Sequence, residues 1–221
     1  LRNAPADIQE KYIDGEVPRW YSLEMVSFGG EIHFYIRFYA KQQNLVEAAF
    51  FANYPDIELA EVEDYAENLP QSVQTIKNRG LLLWGVEYEL NREEAYPIVS
   101  YAKLMDKTEE EANVDPIAGL IEFLSKAQPS EFIGIQFILT PADNSVWQKK
   151  WELFLNELKE KTAKKAPQPE DEEQASGNIA RSPGEIEMLR DVDANLSKPA
   201  FETVIRTIYM APKEIFMDTF A

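Results

Sequence analysis

The chain contains no cysteine, so disulfides, thiolate metal sites and a cysteine nucleophile are excluded, and the redox compartment stays open. With one histidine in 221 residues, a His-rich zinc site and any two-histidine arrangement are excluded as well. No apolar run approaches the ~20 residues of a membrane span, and no signal-peptide pattern opens the chain. Phosphate-loop chemistry is also missing. There is no G-x-x-x-x-G-K-[ST], no G-x-G-x-x-G and no G-x-S-x-G, and Gly29-Gly30 falls between two strands rather than between strand and helix. The chain is therefore not itself a P-loop ATPase.

Hydrophobic residues make up 45% and aromatics 12%, too many for a disordered chain, so a packed core is expected. Net charge is −17, and the run Glu170-Asp171-Glu172-Glu173 supplies only four of those charges. Acidity is thus spread over the surface, and a field of that sign repels nucleic acid and anionic lipid. The first residue is Leu1 rather than Met, which suggests a piece of a longer protein.

Period-two alternation predicts a hairpin from Trp20 to Phe38. Tyr21, Leu23 and Met25 alternate with Ser22 and Glu24; beyond Gly29-Gly30, Ile32, Phe34, Ile36 and Phe38 alternate with His33, Tyr35 and Arg37. A helix follows over Gln42–Tyr54, with Leu45, Ala48, Ala49 and Ala52 on one stripe beside Val46 and Phe50, and Pro55-Asp56 stops it. Ile57–Val62 then reads as a strand. Residues 66–80 read as a connection, Leu81–Leu90 as a strand and 93–113 as loosely structured.

Asp115-Pro116 signals a helix start, before a stripe of Ile117, Leu120, Ile121 and Leu124. Phe132–Thr140, apolar on both faces, belongs at the centre of a sheet. Trp147, Trp151, Phe154 and Leu158 mark one face of a long helix ending in the lysines of 159–165, and Ala166–Asn178 reads as an acidic linker. Ser182-Pro183-Gly184-Glu185 is a capping box, opening a helix with Ile186, Leu189, Val192 and Leu196. Phe201–Met210 is the last strand, and Pro212 could start a short terminal helix.

These elements predict an α+β fold, an antiparallel or mixed sheet with helices on one face resembling one or two ferredoxin-like halves. The expected organisation is a β-β-α-β unit (1–65), a β-α-β-α unit (66–165), the acidic linker (166–181), and a helix-strand pair (182–221) returning to the second unit.

Candidate chemistry is sparse. His33 has the only side chain with a reference pKa near neutrality, yet a half-exposed strand histidine without a partner motif reads as structural. Glu61, Glu63 and Asp64 cluster at the end of the expected strand, where Glu61 and Glu63 would share a face and hold Mg²⁺, and Glu87 and Glu89 sit in another strand. With 39 acids in the chain, a solvated face explains both groups more cheaply. Phe34, Tyr35 and Phe38 beside Arg37 invite comparison with an RNA-binding aromatic platform, which the charge opposes. No catalytic, cofactor-binding or metal-binding residue is assigned, and no cofactor is expected.

Several stretches together resemble an uncharacterised domain family of bacterial candidate phyla (Patescibacteria-type). They are Tyr12-Ile13-Asp14-Gly15 leading to Trp20, Gly29 to Arg37, Asn44 to Ala48, Tyr54-Pro55-Asp56 to Glu61-Val62-Glu63-Asp64-Tyr65, and Leu83-Trp84-Gly85. Tyr96-Pro97-Ile98, Asp115-Pro116-Ile117, Gly177 to Arg181, Ile208-Tyr209 and Ala211 to Glu214 complete the set. The resemblance implies a membrane-anchored protein, with an N-terminal hydrophobic helix ahead of this domain. It also implies association with P-loop ATPases of conjugation or type IV secretion-like systems. It brings no catalytic residues.

The expected function is a non-catalytic interaction or scaffold domain at the cytoplasmic side of an inner membrane. Its partners would be proteins, a P-loop ATPase or a second copy, with membrane contact through an anchor outside this chain. The alternatives are a carboxylate- and Mg²⁺-dependent enzyme around Glu61, Glu63 and Asp64, and a nucleic-acid-binding sheet using His33, Tyr35 and Arg37.

Overall fold

The computed structural model describes residues 19–98, 115, 117–164 and 181–217. The chain is α+β and built on one five-stranded antiparallel sheet. Strands β1 (Tyr21–Phe28) and β2 (Glu31–Arg37) form the expected hairpin. Helix α1 (Gln43–Asn53) and the short helix α2 (Val73–Asn78) precede β3 (Leu81–Tyr88). Helix α3 (Ala118–Ser125), β4 (Phe132–Pro141), α4 (Asn144–Lys164), α5 (Pro183–Leu196) and β5 (Phe201–Pro212) follow. The spatial order is β2-β1-β4-β5-β3, which joins strands from both halves of the chain and makes β4 central.

The two faces of the sheet are covered differently. On one, Ile133, Ile135, Tyr209 and Ala211 pack under Leu124 and Leu120 of α3, with Ile215 and Phe216 closing the end. On the other, Val26, Phe132 and Met210 pack under Tyr65 and Leu69. Those two residues come from a 3-10 turn (Tyr65–Asn68) and the residue after it. Between β4 and β5, α4 and α5 form a helical hairpin with its own core: Trp151 and Leu155 against Leu189, Val192 and Leu196, with Ala95 buried among them. Ala142 N–H bonds Ala200 C=O at 3.2 Å where the hairpin leaves the sheet. The capping box is present, Ser182 accepting from Glu185 N–H while the Glu185 carboxylate accepts from Ser182 N–H.

Several expectations are corrected. Ile57–Val62 forms no strand; it runs as unpaired chain, exposed from Glu58 on, so the first unit is β-β-α. Its alternation has no ladder to join, and the segment instead carries Asp64 and Tyr65 back to the sheet. The 66–80 connection contains α2 and the end of the 3-10 turn. Helix α3 begins at Ala118, although the Asp115 carboxylate does accept from Ile117 N–H at 3.0 Å. Residues 213–217 form a turn rather than a helix. The α1 stripe faces outward: Leu45 is exposed, whereas Val46 is the residue α1 buries. The linker 166–178, residues 99–113 and Pro116 lie outside the described residues.

The hairpin turn is tight against α3. Gly30 has φ +93°, and a Cβ there would meet Ser125 O at 2.8 Å and Ala127 O at 3.0 Å. Gly80, at φ +66°, faces open space. Gly80→Ala should therefore cost about 1 kcal/mol through backbone strain alone, and Gly30→Ala about 2 kcal/mol or more because the backbone carbonyls must also shift. Urea unfolding of the two variants checks the difference.

Candidate functional site

Alternation in β1 predicts its apolar residues inside and Ser22 and Glu24 outside. The structure keeps Tyr21 buried but departs from this elsewhere. Ser22 and Glu24 are buried, at 0% and 3% exposure, while Leu23 is 39% exposed. The reason is what covers each face: the face bearing Ser22 and Glu24 lies under the Tyr65 turn, and α3 does not cover Leu23.

A carboxylate in that position must be hydrogen-bonded to be tolerated. Glu24 Oε1 accepts from Ser22 Oγ at 2.5 Å and from Gln136 Nε2 at 2.7 Å, and Oε2 accepts from Tyr65 OH at 2.5 Å. Gln136 in turn accepts from Arg206 Nε at 2.6 Å through its own Oε1. Register explains the alignment, because Glu24 pairs with Gln136 across β1–β4 and Gln136 with Arg206 across β4–β5. One rung of the sheet thus carries carboxylate, amide and guanidinium in line, the amide relaying between opposite charges.

Burial pushes the Glu24 carboxyl up, but the three hydrogen bonds, with the Arg37 charge behind them, outweigh it and hold the group below the usual glutamate range. For Tyr65, burial and then the bond to Glu24 raise the phenol well above its ordinary value, so it stays a donor. Next to this rung, Arg37 Nη2 donates to Asp64 Oδ1 at 2.6 Å, and Asp64 also accepts from Ala66 N–H at 2.9 Å. The Arg37 bond, then the backbone bond, hold Asp64 below the usual aspartate range. The stacked pair Tyr35 and Tyr65, centroids 4.7 Å apart, completes the lid.

Beside this network an open groove of about 600 Å³ runs along the same face. Its floor steps from Gln136 and Arg206 through Ile138 to Thr140 and Glu202, and Trp20 and Arg37 form its sides.

The candidates from sequence are dispersed. Glu61 and Glu63 are exposed on unpaired chain, so they share no strand face, and Asp64 is committed to Arg37 and Ala66. Among the described residues, no group of three or more His, Asp or Glu side chains is placed to hold a metal ion. Glu87 and Glu89 are exposed. His33 is half-exposed, with Nε2 3.2 Å from Glu31 and its ring against Phe28 and Tyr35. Phe34 and Tyr35 point to opposite faces, the first exposed and the second under Tyr65, so they build no common platform. Trp151 is buried and Trp147 partly buried in the helical hairpin. No described helix is long and apolar enough to cross a membrane.

Sequence reasoning missed Glu24, Gln136 and Arg206. The available signal was Gln136, a polar side chain in the middle of an otherwise apolar stretch of the central strand. Comparison of the chain with protein-family models, with curated proteins and with solved structures finds no match.

A depressed carboxyl pKa in the folded state stabilises the fold above the unfolded value, and that stability is lost as pH falls through the folded one. Glu24 and Asp64 both have this sign, so stability should decline below about pH 4.5. Tyr65→Phe should cost about 1.5–3 kcal/mol at pH 7, the range for a bond to a charged acceptor. Glu24→Gln should also destabilise at pH 7 and flatten the acid decline. Urea unfolding from pH 3 to 8 reads both effects.

Proposed function

We propose that this domain is a non-catalytic interaction module that binds a protein partner. The observation that carries the reading is the apolar surface of α1 and the chain after it. Leu45, Phe51, Tyr54, Leu59 and Val62 are all exposed within eighteen residues. Large exposed apolar side chains gathered in one stretch mark association surfaces more often than chance exposure. The buried polar groups support the reading from the other side. Glu24 is satisfied by three donors, and Glu131 accepts from Tyr209 OH at 2.6 Å and from Gln128 N–H at 2.6 Å. Both carboxylates are consumed in holding the fold.

The setting rests on the family resemblance alone. In it the domain is part of a membrane-anchored protein at the cytoplasmic side of an inner membrane, working beside a P-loop ATPase in a secretion- or DNA-transfer-like apparatus. A second copy of the chain is the other protein partner in view.

A photo-crosslinking residue at Phe51 tests the reading, with one at exposed Lys77 as control. In cells producing the whole protein, the Phe51 position should form a discrete protein adduct and the Lys77 position should not. Equal labelling at both positions, together with a rise in Tm on adding Mg²⁺ or a nucleotide, would contradict the interaction reading. Leu45→Glu with Phe51→Glu should abolish the adduct and leave Tm within about 2 °C, since neither side chain is buried.

A further inference from the structure

The groove beside the Glu24 network has a charge pattern that the interaction reading does not use. Arg206 and Glu202 lie on the same face of β5, four residues apart, and both line the groove. Strand geometry separates their Cα atoms by about 13 Å. Between them the floor is Ile138, and Trp20 flanks the groove.

Two features mark the Arg206 end as prepared for a ligand. The first is orientation. Arg206 bonds through Nε to Gln136, which is itself held by the buried Glu24 carboxylate. The guanidinium is therefore fixed from behind, with its two terminal nitrogens left over, and a donor held in place this way loses less entropy on binding. The second is charge. Among the described residues Arg206 bonds a neutral amide and, although Glu87 stands opposite it on β3, forms no ion pair. Arg37, from β2 across the sheet, lines the same groove as a second cation, with one terminal nitrogen spent on Asp64. Planar guanidinium forks suit a carboxylate.

At the other end Glu202 is exposed, and no described cation pairs with it. A carboxylate there disfavours a dianion such as phosphate and attracts an ammonium or guanidinium. The surrounding field, −17 over the chain, acts in the same direction.

From these placements we infer that the groove binds a short, extended, peptide-like zwitterion. Its carboxylate sits between Arg37 and Arg206, its apolar body lies over Ile138 and Trp20, and its cationic end meets Glu202. The inference rests on the groove and not on the α1 surface, so either can fail without the other.

Tetraalanine is a suitable probe, since its termini lie about 13 Å apart when extended. Its C-terminal amide removes the carboxylate, its N-acetyl form removes the ammonium, and inorganic phosphate tests simple anion binding. Binding is read from the Trp20 indole N–H and the Arg206 Nε–H by NMR. Tetraalanine should move both signals saturably, and each blocked form should bind about tenfold more weakly, the loss of one charge-assisted contact.

Glu202→Gln should bring tetraalanine down to the affinity of the N-acetyl form and leave the N-acetyl form's own affinity unchanged. Arg206→Gln should do the same with respect to the amide. Both side chains are exposed, so Tm should stay within about 2 °C. If Arg206→Gln unfolds the chain, the Glu202→Gln arm decides alone. The inference is overturned by the absence of a saturable shift at tens of millimolar, by blocked forms binding as well as tetraalanine, or by phosphate moving the same signals as strongly.

Discussion

A buried carboxylate is the constraint on which this structure turns. Glu24 sits in the middle of the sheet, where an unpaired charge would be unfavourable enough to prevent the arrangement altogether. Its three donors come from β1 itself, from the central strand and from a turn forty-one residues later in the chain. Satisfying one side chain therefore sets the register of β1 against β4 and brings the 64–69 segment back over the sheet. Tyr65 then supplies the apolar cover for Val26, Phe132 and Met210. The polar contact places the turn, and the ring's burial adds to what holds it there.

The same network organises the exposed side. Gln136 spends its amide nitrogen on Glu24, which leaves its oxygen to hold Arg206, and Arg37 is held in turn by Asp64 from the segment that Tyr65 anchors. Two guanidiniums at the mouth of an open groove are thus fixed through partners that trace back to one carboxylate. Such fixed donors are what a binding surface requires of its scaffold. The exposed apolar surface of α1 is built differently: that helix leaves its apolar stripe outside, while Val46 and the Tyr21 to Gln42 hydrogen bond draw it toward the rest of the chain.

What was legible in the sequence was local. The Gly29-Gly30 hairpin, the Ser182 capping box and the apolar central strand are each decided by residues within a few positions of one another, and each forms as its pattern predicts. The failures that bear on the site are nonlocal. Ile57–Val62 alternates like a strand but pairs with nothing. Ser22 and Glu24 read as a solvent face because nothing in β1 announces that Tyr65 will cover them. The α1 stripe marks a helix, but periodicity reports amphipathicity and not which side is covered. The Glu24–Gln136–Arg206 rung was invisible for the same reason, since its members are brought together by strand order, and 112 residues separate the first two.

The central claim is that Glu24 remains ionised while buried because its hydrogen bonds outweigh its desolvation. The most direct test is a carbon-13 NMR titration of the Glu24 side-chain carboxyl in the folded protein. The account predicts a single midpoint below that of an ordinary glutamate, shifting upward when Tyr65 is replaced by Phe. A midpoint at or above the ordinary value would mean that desolvation wins. The three donors would then fail to offset burial, and the ionised carboxylate would weaken the fold rather than support it.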